Sequence, residues 1–281
     1  ARRGRRRWTF GLVAVGASAA AVAAFAAVPS SGHRSGGRAR LVSAYTVLDR
    51  AALAAERRPF TPPRPDQWVM TEDKSVADEI SSGKFRLPDV FRSWARVDGT
   101  QWATWDAKAK KVQVQRFPAL VQSTDKTYAE IARLPTDPDA LIASLSPRRP
   151  GPARALPPMY RWRTVQSSLI RILEQSTPPP AVQSAIYRAL KKVPSAKVDT
   201  AAKDPVGRPA IQLNWSFEER FRSDLLLDPS TYAYLGSRTI ALKPMTRHRD
   251  TGTVVLPAGT VLLASVRIRA GIVDEPGQLP G

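Results

Sequence analysis

The chain contains no cysteine, only two histidines among 281 residues, and no Asp or Glu in its first forty positions. Without cysteine there is no disulfide, no thiolate metal site and no cysteine nucleophile, while the compartment stays open. Two histidines leave little material for general-base chemistry. His33 lies in a Gly, Ser and Arg-rich stretch, and His248 lies in Thr246 to Asp250, which reads as a basic loop between strands. No Gly-x-Ser-x-Gly elbow, Walker A loop, GxGxxG or EF-hand loop occurs. A hydrolase would have to use His248 or the adjacent acids Glu218 and Glu219, which fall at an expected hairpin tip. Asp137 and Asp139 stand at an expected helix start, where an acid has an ordinary capping role. The sequence therefore predicts a non-catalytic protein with no cofactor and no metal.

What is present begins with an asymmetry. Eight of the 43 basic residues are arginines within residues 1–40, so the formal charge of +19 falls to +11 over the remainder. That remaining excess is scattered among Pro and Trp without a dense basic helix or a zinc-finger, RNP or helix-turn-helix signature, so nucleic acid is not an expected partner. From Trp8 to Val28 no residue is charged, and a helix of that length spans the roughly 30 Å of a bilayer's hydrocarbon core. Arg2, Arg3, Arg5, Arg6 and Arg7 hold its N-terminal end in the cytoplasm. The reading is a basic flank at 1–7, a transmembrane helix at 8–28, a flexible tether at 29–40 and an extracytoplasmic domain at 41–281. The alternative is a signal peptide, with small residues around Ala24-Phe25-Ala26 for cleavage and a secreted domain as the product.

Within that domain, Leu41, Ala44, Tyr45, Leu48, Ala51, Ala52 and Ala55 recur at helical spacing, and Pro59 to Pro65 ends the helix. A strand is expected at 67–72. FRSWARV (91–97) and TQWATW (100–105) flank Asp98-Gly99, a dipeptide that takes the positive φ angles of a tight hairpin, and 111–117 alternates as a third strand. Helices are expected at 134–145, 165–175 and 181–193, the last opened by Pro178-Pro179-Pro180. The proline and arginine-rich segment 147–158 reads as a loop, with LPPMYRW (156–162) as a lid or surface linker. Strands return at 196–201, 209–217, 221–227, 232–242 and 260–272, with a bulge at Gly236. Strands at both ends and helices gathered in the middle predict an α+β fold with an antiparallel sheet.

Four stretches together resemble an uncharacterised family of actinobacterial single-pass membrane proteins often encoded beside extracytoplasmic-function sigma factors. They are PRPDQWVMTEDKS (63–75), LPTDPDAL (134–141), ILEQSTPPPAVQSAIYRALKKVP (172–194), and DPVGRPAIQL through LLLDPSTYAYLGSRTI (204–240). Members look like distant relatives of the LolA and RseB fold, which implies a curved antiparallel half-barrel packed on helices around an apolar groove. The resemblance implies a binding or sensing module for a lipid, a lipopeptide or a regulatory protein partner, accessory to sigma-factor regulation. It equally implies, as an alternative, an exported lipid or lipoprotein carrier. Trp68, Trp94, Trp102 and Trp105, on neighbouring expected strands, are the candidate groove aromatics; the competing reading places them in the core.

Overall fold

The computed structural model describes residues 42–76, 90–116, 126–147, 157–217, 219–249 and 252–281. The expected transmembrane segment, the tether with His33, and Glu218 lie outside these residues. No described helix is long and apolar enough to cross a membrane.

The described residues contain five helices: α1 (Ala44–Arg57), α2 (Tyr128–Ala132), α3 (Pro138–Leu145), α4 (Pro158–Gln175) and α5 (Pro180–Lys192). Ser43 caps α1 by accepting from the Thr46 amide, Thr127 and Glu130 close a capping box on α2, and Asp137 caps α3. Both α4 and α5 begin on proline, whose fixed φ suits the first helical turn and whose missing N–H would have had no partner there. That chemistry corrects the expected loop at 156–162. Pro158 opens α4 seven residues earlier than the apolar periodicity indicated, so Tyr160 and Trp162 are helical.

The strands are β1 (Trp68–Val76), β2 (Phe91–Arg96), β3 (Gln101–Asp106), β4 (Lys111–Arg116), β5 (Lys197–Lys203), β6 (Pro209–Phe217), β7 (Phe221–Leu227), β8 (Tyr234–Ala241), β9 (Met245–Arg249), β10 (Gly252–Leu256) and β11 (Val261–Val273). Nine form one open antiparallel sheet in the order β4-β3-β2-β1-β11-β8-β7-β6-β5. The long strand β11 joins the two halves, pairing β1 on one side and β8 on the other. β9 and β10 make a separate hairpin where the sequence predicted only a basic loop.

Residues directly opposite in the ladder share a face of the sheet. On one face, Leu213, Trp215, Phe217, Leu225 and Leu227 lie beneath the helices in the principal core. Helix α1 presents Ala44, Ala51, Ala52 and Ala55 to this core, and such small side chains let α5 approach closely. α5 is buried on most sides, and four of its polar side chains are matched by acids on α1 and α3. Ser184 and Arg188 reach Glu56 at 2.8 and 2.7 Å, Lys191 reaches Asp49 at 2.8 Å, and Lys192 reaches Asp139 at 2.7 Å.

The opposite face carries a different solution. Asp224, fully buried, accepts from Arg222 at 2.9 Å and Arg238 at 2.6 Å, and Arg238 also donates to Gln212 at 2.6 Å. In the other half of the sheet the same face holds Trp68, Met70, Trp94 and Ala103, with Trp105 and Val112 against them. The C-terminal residues 274–281 fold back over this cluster. Trp94 Nε1 donates to the Gln278 carbonyl at 2.8 Å, and a Cβ on Gly271 would lie 2.6 Å from Pro280.

Candidate binding cleft

A cleft of about 570 Å³ lies between α4 and the helix-covered face of β1, β11, β8 and β7. Along α4 the residues at positions 160, 163, 164, 167, 168, 171 and 174 recur every three or four and so share one side of the helix. Facing them is a row of hydroxyls. Ser75 pairs with Ser265 and Ser265 with Ser237, which crosses three strands at one level; Ser223 pairs with Thr239 one step along. Thr164, Ser167 and Ser168 add three more from α4. On the same face of the sheet, β6 and the end of β7 are wholly apolar. The change from leucine and tryptophan to serine and threonine happens at Ser223, where Gln166 of α4, itself fully buried, donates Nε2 to the serine Oγ at 2.9 Å.

A charged cluster adjoins the cleft at Glu174, outside its lining. Arg267, 7% exposed on β11, donates Nε to Asp73 at 2.6 Å and a second nitrogen to the Glu174 carbonyl oxygen. Its guanidinium stands 5.4 Å from the ring centroid of Tyr234. The Glu174 carboxyl lines the cleft, where burial pushes its pKa up despite a hydrogen bond with Ser265. Burial likewise raises the Asp73 pKa against the opposing pull of Arg267. The Tyr234 hydroxyl beside this cluster is buried with no hydrogen-bond partner of normal geometry, and burial raises its pKa as well. The Glu174 carboxyl, the arginines at 163, 171 and 238 and the hydroxyl platform make a surface able to donate and accept hydrogen bonds in many directions.

The four tryptophans are placed elsewhere. Trp68 (5% exposed) and Trp94 (1%) are core residues of the face beneath the C-terminal tail, with Trp105 packed against them. Trp102 projects from the other face, half-buried, its ring centroid 6.5 Å from that of the exposed Phe91. None of the four lines the cleft. Of the acids considered for hydrolysis, Glu219 sits at the β6–β7 turn, exposed and 3.1 Å from Lys243. Asp137 caps α3 and Asp139 pairs with Lys192. His248 lies one residue from the end of β9, paired with Thr253.

Sequence reasoning missed the cleft because single serines and threonines carry no local signal. What could have indicated it is that Ser223, Ser237, Thr239 and Ser265 all fall at inward positions of strands read as half-buried, where apolar residues are the rule.

The chain matches no family model and no curated protein. Among solved structures, the crystal structure of a LolA superfamily protein from Nitrosomonas europaea is similar over 84% of this chain and 96% of that one, at 10% identity and a TM-score of 0.24. The functional reading therefore comes from the chemistry of the cleft.

Proposed function

We propose that this protein is a membrane-anchored extracytoplasmic binding module that holds one polar, hydroxyl-rich ligand from the cell envelope between α4 and the sheet. The observation that carries this reading is the switch of one sheet face from apolar to hydroxyl side chains where it passes beneath α4. A volume of about 570 Å³ is the size that encloses a single small molecule. An acyl chain in that space would strip water from the hydroxyls of Ser75, Ser237, Thr239 and Ser265 and return no hydrogen bonds, which is unfavourable for every group so buried. A sugar or polyol headgroup returns them. The anchor at 8–28 belongs to this proposal through its uncharged run and arginine flank, and the half-barrel relationship to LolA and RseB and a regulatory partner in a sigma-factor pathway belong to it through the sequence resemblance.

Native mass spectrometry of the full chain purified from an actinobacterial membrane, before and after organic extraction, tests it. The expected result is an adduct bearing a polyhydroxylated headgroup, lost when Ser237 and Ser265 are both replaced by leucine while the melting transition is kept. A purely aliphatic adduct would overturn the polar reading in favour of a lipid or lipoprotein carrier. A bare mass under both conditions would overturn ligand binding in this cleft.

A further inference from the structure

A second recess of about 300 Å³ lies where the 176–178 segment meets the end of α1 and strands β8 and β11. Its lining includes Arg58, Arg208, Arg267 and Arg269 and no Asp or Glu. Three of the four arginines are matched by carboxylates outside the lining. Arg208 meets Asp204 at 2.6 Å, Arg267 meets Asp73 at 2.6 Å, and Arg269 approaches Glu72 at 3.5 Å. Arg58 is different. Among the described residues it has no carboxylate partner, and its Nη2 donates to the Pro178 carbonyl at 2.7 Å.

Two further lining atoms are unsatisfied. Ser176 is 5% exposed, and its Oγ has no hydrogen-bond partner. Gln183, 7% exposed, donates Nε2 to the Tyr187 hydroxyl at 3.1 Å and leaves Oε1 unpaired. Folded proteins seldom leave buried polar atoms unpaired, and two of them lining one recess beside an unmatched guanidinium point to a missing partner. The set is a guanidinium fork, a hydroxyl donor and an amide acceptor. An oxyanion that also carries a proton satisfies all three: the charged oxygens accept from Arg58 and Ser176, and its O–H donates to Gln183. Sulfate and phosphodiesters lack that proton at neutral pH.

We infer that this recess binds a hydrogen phosphate group, either as inorganic phosphate or as the terminal monoester of a lipid headgroup or small metabolite taken up in its singly protonated form. The site is distinct from the hydroxyl-lined cleft and stands or falls without it. Arg267 belongs to its wall and not to the lining of the cleft, and it donates to the backbone carbonyl of Glu174, a residue that lines the cleft.

The test is isothermal titration of the full chain in a non-phosphorylated detergent with inorganic phosphate, sodium sulfate, short-chain phosphatidic acid and short-chain phosphatidylglycerol. One saturable phosphate site is expected, weakened about tenfold or more in Arg58→Gln and in Ser176→Ala, the loss typical of a hydrogen bond to a charged group. Arg50→Gln, an exposed charge removed elsewhere on α1, is expected to bind as the parent does, and the melting temperature of each variant reports that it is folded. Binding of phosphatidic acid but not phosphatidylglycerol would support a lipid monoester as the source; binding of inorganic phosphate alone would support a soluble one. No saturable phosphate binding, equal binding of sulfate, or an equal loss in Arg50→Gln would overturn the proposal.

Discussion

The indole nitrogen of Trp94 donates to the backbone carbonyl of Gln278 at 2.8 Å, across 184 positions of sequence, and so the last residues of the chain roof the tryptophan cluster. Asp274 fixes the start of that roof by accepting from Arg64 and Gln67, each at 2.9 Å. Removing residues 276–281 is therefore expected to expose Trp94 and Trp105, to shift tryptophan emission to longer wavelength, and to lower the melting temperature. Trp94→Phe loses both the hydrogen bond and part of the packing, with an expected cost of about 2–3 kcal/mol in denaturant unfolding. An unchanged emission spectrum in the truncated chain would show that the tail does not cover the cluster.

Gly236 lies where β8 meets β11, and a Cβ there would stand 2.3 Å from the Ser265 carbonyl oxygen. Backbone cannot yield as a flexible side chain does, so Gly236→Ala must separate two central strands. Overpacking of this kind costs about 1–3 kcal/mol. Because Ser265 and the adjacent Ser237 form the cleft floor, ligand retention is expected to fall along with stability; a variant with parental stability would contradict the close approach.

Asp224 is fully buried between Arg222 and Arg238, whose guanidinium groups are partly exposed. Asp224→Ala leaves both guanidinium groups without their carboxylate, Arg238 keeping Gln212 Oε1 as an acceptor, with an expected loss of about 2–3 kcal/mol. The paired replacement of Asp224 by leucine and Arg238 by methionine is expected to recover part of that loss, because only Arg222, which is partly exposed to water, then lacks its carboxylate. Chemical denaturation of the single and double variants measures both.

Asp73 and Glu174 set a pH dependence. Burial holds both carboxyls above the unfolded range of about pH 4, so across the window from there up to their folded values the folded protein carries the extra protons. Their contribution to stability is full below pH 4 and is lost as pH rises through the folded values. Glu174→Gln removes one of the two groups. The melting temperature at pH 7 is expected to hold or rise, and its decline between about pH 4 and 7 to shrink. An unchanged slope would show that Glu174 is not the group that titrates.

Much of the architecture could be read locally. Asp98-Gly99 does turn β2 into β3, with Gly99 at φ 76° and Asp98 accepting from the Thr100 amide. Gly236 does adjoin a bulge, the register shifting between Leu226 and Leu227. β6 and β7 occupy 209–217 and 221–227 as expected, because alternation, turn residues and strand length are all short-range properties. The start of α4 was misplaced because proline reads as a breaker in sequence and works as an N1 residue in structure. The β9–β10 hairpin was missed because Thr246 to Asp250 has too little apolar alternation to mark a strand.

The sequence alone determined the absence of thiol chemistry, the helix caps, most strands and the antiparallel character of the sheet, since each depends on residues a few positions apart. Only the tertiary structure decided which face each tryptophan meets, because the tail that covers Trp94 arrives from the other end of the chain. It also assembled the hydroxyl row, whose members lie on four strands, and the recess that gathers Arg58, Ser176 and Gln183. These placements depend on β11 pairing with both β1 and β8, a long-range choice that no local pattern encodes.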